Sequence, residues 1–114
     1  MANVTVRRLQ DPPVAGEGRR VLAELASTQG LARGPHVDLY LPALAPSAPL
    51  AAWFHADPSR WEEFRIQYQR ELEGNPEVRH LAELAQAGDL VLLTMSADPA
   101  RSPAAVLRGL LRGR

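Results

Sequence analysis

The chain has 114 residues, 46% of them hydrophobic, which is enough apolar material for one core and too little for two, so a single domain over residues 1–114 is expected. Thirteen basic residues balance thirteen acidic ones, which excludes the long-range field that gathers DNA, RNA or an anionic membrane. Every basic residue is Arg, so lysine chemistry is excluded, and the absence of Cys removes disulfides, thiolate nucleophiles and Cys-held zinc.

The first ten residues lack the apolar core of a signal peptide. No apolar run approaches the roughly 20 residues of a spanning helix. Together with the missing Cys, these features predict a cytoplasmic protein without a membrane association.

Val4 and Val6 alternate with Thr5 and Arg7, the period of a strand with one buried face, and Asp11-Pro12-Pro13 ends it. Arg20 to Ala26 is ambiguous: Ala, Leu and Glu favour helix, while its shortness after Gly16 and Gly18 suits a strand. Val37, Leu39 and Leu41 alternate with polar neighbours and predict a short strand or extended segment between Pro35 and Pro46. From Ser47 a short helical turn carries Leu50, Trp53 and Phe54.

Helix starts are legible beyond that point, because a capping side chain followed by Pro recurs at Asp57-Pro58, Asn75-Pro76 and Ser102-Pro103. Trp61, Phe64, Tyr68 and Leu72 line one face of the first helix, which ends at Gly74. Val78, Leu81, Ala82 and Ala85 stripe the second, which stops at Gly88. Leu90 to Met95 is a continuous apolar run, the pattern of a strand buried on both faces at the centre of a parallel sheet. Val106, Leu107, Leu110 and Leu111 supply the last helix with its apolar stripe. The expected fold class is therefore α/β, a small, mainly parallel sheet of three to four strands packed with about four helices.

The block Leu44-Ala45-Pro46-Ser47, Leu50, Trp53-Phe54-His55-Ala56-Asp57-Pro58, Arg60-Trp61-Glu62-Glu63-Phe64, Tyr68 and Glu71-Leu72 resembles the YeaO-like family of uncharacterised small bacterial proteins. Arg8, Asp11-Pro12, Arg20-Val21-Leu22, Leu92-Leu93 and Asp98 extend the resemblance over nearly the whole chain. It implies that Arg20 to Ala26 is a strand, against its helix propensity. It also marks this chain as a divergent member. Where typical members run Asp-Arg-Leu-Trp-Pro-Arg-Gly after the second strand, this chain has Glu24 to Gly30, without the arginines and the Trp. Arg101-Ser102-Pro103 stands where a His-Asn-His group is usual, and Gln67 where an Arg is common. The resemblance thus implies a scaffold kept and a polar site largely lost.

Candidate ligand-binding residues are Arg20, His55, Asp57, Arg60, Ser96 and Asp98. His55, Asp57 and Arg60 surround a helix start that could receive an anion, although Asp57 itself suits the cap. Ser96 and Asp98 follow the buried strand, where α/β folds place sites, but no Gly-x-Ser-x-Gly elbow surrounds Ser96. The pairs His36-x-Asp38 and His55-x-Asp57, even with His80 and Asp98, match no metal motif, so neither metal nor cofactor is expected. The aromatic stripe reads as core, and Arg108, Arg112 and Arg114 as cations complementing a helix C-terminus. A degenerate or non-catalytic module with a small anionic ligand or a protein partner is expected, and nucleic acid is not. The alternative is an enzyme using Ser96 and Asp98 with Arg20 or His55.

Overall fold

The strands Val4–Arg8 (β1), Arg19–Leu22 (β2), Leu39–Tyr40 (β3) and Leu90–Thr94 (β4) form one sheet in the order β1-β4-β2-β3, with every pairing parallel. Four helices accompany it: Ala48–Ala56 (α1), Trp61–Glu73 (α2), Glu77–Ala87 (α3) and Pro103–Arg112 (α4). The expected α/β class holds. The computed structural model describes residues 3–24 and 37–112, so the stretch from Leu25 to His36 and the final Arg114 lie outside the described residues.

β4 is central because it alone is apolar at every position but its last. Leu92 lies between Val6 of β1 and Val21 of β2, and all five β4 residues are buried. Burying a Leu or Val side chain contributes roughly 1.5–3 kcal/mol, so this strand is a principal source of stability. β2 is a strand despite its helix propensity, since both its edges are occupied, by β4 and β3, and helix propensity is worth only tenths of a kcal/mol per residue.

Alternation divides the sheet into two faces. Val4, Val6, Val21, Leu90 and Leu92 join the helices in the main core with Phe54, Phe64, Tyr68 and Leu107. Leu22, Val91 and Leu93 form a smaller cluster with Leu9, Val37 and Tyr40. The aromatic stripe of α2 buries as expected: Phe64 stacks on Phe54 with ring centroids 4.4 Å apart, and the Tyr68 hydroxyl donates to the Leu44 carbonyl.

The capping signals also act where they were read. The Asp57 carboxylate accepts from the Ser59 amide at 3.1 Å and opens a 3-10 turn, Pro58–Arg60, that leads into α2. Asn75 accepts from the Glu77 amide, and Ser102 from the Ala105 amide at the head of α4. Ser47 differs. Its amide and hydroxyl both donate to Glu71, tying the start of α1 to α2. Among the described residues no helix is long and apolar enough to cross a membrane.

Candidate functional site

Parallel strands direct their carboxyl ends to one edge, and here the ends of β2 and β4 open into a cavity of about 320 Å³ beneath α1. Phe54 and Phe64 from the helices, Met95 after β4 and Pro103 at the head of α4 give it largely apolar walls. Its polar groups are Glu24, His55, Ser96, Asp98 and Arg101.

Glu24 stands two residues past the end of β2, where strand alternation no longer dictates its direction, and only 7% of it is exposed. Oε1 accepts from the Met95 amide at 3.2 Å. Oε2 is buried without a hydrogen-bond partner. Burial raises the carboxyl above its ordinary range, and the Thr94 hydroxyl, the Met95 amide and the charge of His55 pull it partly back. The neighbouring Tyr68 phenol is also raised, by burial first and then by the charges of Glu24 and Glu71.

Of the six predicted residues, the structure brings His55, Ser96 and Asp98 to the cavity. Ser96 and Asp98 are also engaged in a local turn: the Asp98 amide donates to Ser96 Oγ at 3.2 Å, and the Asp98 carboxylate accepts from the Ala100 amide. Asp57 and Arg60 do not line it. The Ser59 hydroxyl and amide hold the Asp57 carboxyl below its usual range, and Asp57 caps its turn. Arg60 donates to the Trp53 carbonyl at 2.8 Å and lies over the Trp53 ring, 4.9 Å from its centroid, so it clamps α1 to the following turn.

Arg20 does not line the cavity either. It shares the parity of Leu22, on the opposite face of the sheet, and its guanidinium donates to the Asp11 carbonyl at 2.7 Å. Its amide donates to Asp38 Oδ2, which ties Asp38 to β2. Among the described residues no group of three or more His, Asp or Glu side chains is placed to hold a metal ion. His36 lies outside the described residues. Arg108 donates to the Val4 carbonyl, an anchor of α4 on β1.

Two polar cavity residues were not among the candidates named from the sequence. Glu24 and Arg101 sit in the two segments where the chain departs from the YeaO-like pattern, and that departure was the available signal.

Comparison with known proteins agrees with the resemblance. A family profile described as the inactive DUF488-N3 subclade matches residues 3–114. An uncharacterized protein of Mycobacterium tuberculosis is 33% identical over 112 residues, covering 97% of this chain and 95% of the relative, and one of Mycobacterium bovis matches equally. The uncharacterized protein YeaO of Escherichia coli is 29% identical over 112 residues, covering 96% of this chain and 97% of YeaO. No solved structure matches at a significant level.

Proposed function

Since the chain belongs to the inactive DUF488-N3 subclade, we propose that it is a non-catalytic module that binds a small ligand in the cavity at the ends of β2 and β4. The observation that carries this reading is the cavity itself: about 320 Å³ of largely apolar space into which a few polar groups converge. Most polar groups of the chain that could have served chemistry have structural work instead. Asp57 caps, Arg60 clamps, and Asp98 holds a turn.

The non-catalytic part of the reading is supported by the surroundings of Ser96. Its hydroxyl donates to the Asp98 carbonyl at 3.3 Å, and no imidazole or carboxylate side chain is hydrogen-bonded to it among the described residues. A serine nucleophile needs an adjacent base to remove its proton.

A thermal-shift screen of nucleotides, phosphorylated metabolites, amines and aromatic fragments, followed by amide NMR, tests the proposal. Binding in the cavity raises the melting temperature and moves the Met95 and Ser96 amide resonances. A screen in which no compound moves those resonances would sink it.

A further inference from the structure

We propose that an extended acidic segment of a protein partner adds to the free edge of β1, with its carboxylates on Arg108 and Arg112, at a surface separate from the cavity. β1 ends the sheet, and only its β4 side is paired. A strand residue that bonds one neighbour turns both main-chain groups toward it, and successive residues alternate sides. Asn3 accepts the Leu90 amide and the Leu9 amide goes to Thr94, so the odd-numbered residues serve β4 and the main-chain groups of Val4, Val6 and Arg8 face outward. Both ends of that outer edge are blunted from within the chain. Arg108 donates to the Val4 carbonyl, while the Arg8 amide and carbonyl are both taken by Asp11. Between them Val6 keeps its N–H and its C=O without a partner among the described residues. Such an open pair is a template for one residue of an added strand.

The open stretch coincides with a groove. Thr5, Val6 and Arg7 of β1 and Arg108, Gly109 and Arg112 of α4 line a hollow of about 540 Å³ whose walls contain no acidic side chain. Arg7 is paired with Glu17, whereas neither Arg108 nor Arg112 has a carboxylate partner among the described residues. Two positive charges therefore stand uncompensated on one groove of a chain with zero net charge. Spacing suits the same partner, because α4 packs against β1. The four residues from Arg108 to Arg112 advance about 6 Å along a helix, and two residues of a strand advance about 6.6 Å, so carboxylates at every second position of the segment match the two guanidiniums. Other polyanions fit less well. A phosphodiester offers acceptors but no donor for the Val6 carbonyl, and a second copy of this chain would bring two sets of Arg108 and Arg112 to one seam.

The test titrates the isotope-labelled full chain at low salt with a blocked peptide of alternating Thr and Glu, with its Gln counterpart, and with a single-stranded thymidine oligonucleotide, each read by amide NMR. The Glu peptide is expected to move the Val6 amide, to slow its hydrogen exchange and to bind at least roughly fivefold more tightly than the Gln peptide. That margin should largely vanish at ~1 M salt, where charges are screened beyond about 3 Å. Arg112→Glu, which removes no hydrogen bond or ion pair among the described residues, is expected to weaken the Glu peptide at least roughly fivefold. The proposal is overturned if no peptide moves the Val6 amide, if the Gln peptide binds equally well, or if Arg112→Glu binds the Glu peptide as the wild type does. An oligonucleotide that moves the Val6 amide more than the peptide does, or a Val6 shift that grows with protein concentration alone, would assign the edge to nucleic acid or to a second copy and overturn it equally. Binding in the cavity is read at Met95 and is untouched by these outcomes.

Discussion

The carboxylate of Glu24 accepts the main-chain N–H of Met95 at 3.2 Å, joining the ends of two adjacent strands across 71 residues of chain. The bond satisfies one oxygen and leaves the other buried without a partner, so the same residue fastens the sheet edge and holds unspent hydrogen-bonding capacity there.

Glu24→Gln should reveal the cost of burying this carboxyl through pH. Folding raises the Glu24 pKa from its ordinary value of 4.5, so the folded chain keeps the proton to higher pH than the unfolded chain does. Stability linked to this group is complete below the unfolded value and is lost as pH rises through the folded one. The charge of His55 on α1 acts on this carboxyl, whose own charge acts in turn on the Tyr68 phenol of α2. Thermal melts should show Glu24→Gln stabilised at neutral pH by about 1 kcal/mol, or roughly 4 °C. Near pH ~4 the two proteins should melt together. A variant less stable at neutral pH would contradict this account.

Tyr68→Phe removes the hydroxyl that serves the Leu44 carbonyl inside the core. The ring and its packing remain, but a buried acceptor is left without a donor, which costs about 1–3 kcal/mol. Urea denaturation should show a lower midpoint with an unchanged slope. No change in midpoint would mean that the carbonyl finds another partner.

Gly18→Ala should be the most disruptive Gly-to-Ala change among the described glycines. Gly18 has φ +111°, a region that side chains rarely adopt, and an added Cβ would overlap the Asp89 carbonyl at the entry to β4. Strain of this kind costs about 1–3 kcal/mol before the clash is counted. The expected result is loss of the cooperative melt at ordinary temperatures. Gly16→Ala makes an informative control, for Gly16 also has positive φ but no neighbour within 4 Å, so it should lose less.

Ser102→Ala tests the cap of α4. The buried hydroxyl donates to the Pro99 carbonyl at 2.7 Å and accepts from the Ala105 amide at 3.3 Å, linking the cavity-side turn to the helix. Losing both should cost about 1–2 kcal/mol in a denaturant melt. An unchanged denaturation midpoint would mean that neither bond carries weight.

Much of the fold could be read directly from local patterns. The apolar run Leu90 to Met95 announced a central strand, and Asp57-Pro58, Asn75-Pro76 and Ser102-Pro103 announced three helix starts, because burial on two faces and unsatisfied terminal amides leave their marks on adjacent residues. Arg20 to Ala26 was harder. Its composition favours helix, and only its neighbours across the sheet, β4 and β3, make Arg19–Leu22 a strand. The strand expected to reach Ala26 ends at Leu22, with Ala23 and Glu24 already outside the ladder, and Leu25 and Ala26 lie outside the described residues.

The site was less legible than the fold. Ser96 and Asp98, named for their place after a buried strand, and His55, named for its place beside a helix start, all line the cavity, whereas Arg20 lies on the opposite face of the sheet. Parity placed it with Leu22, but parity carries no meaning until the helical face is known. The sequence by itself determined the class of fold, the family and the structural roles of the caps and the aromatic stripe, since those depend on near neighbours. Only the tertiary structure decided that Glu24 lines a cavity with residues of α1, α2 and the end of β4, because the pairing of β2 with β4 brings Glu24 beside Met95, 71 residues away in the chain.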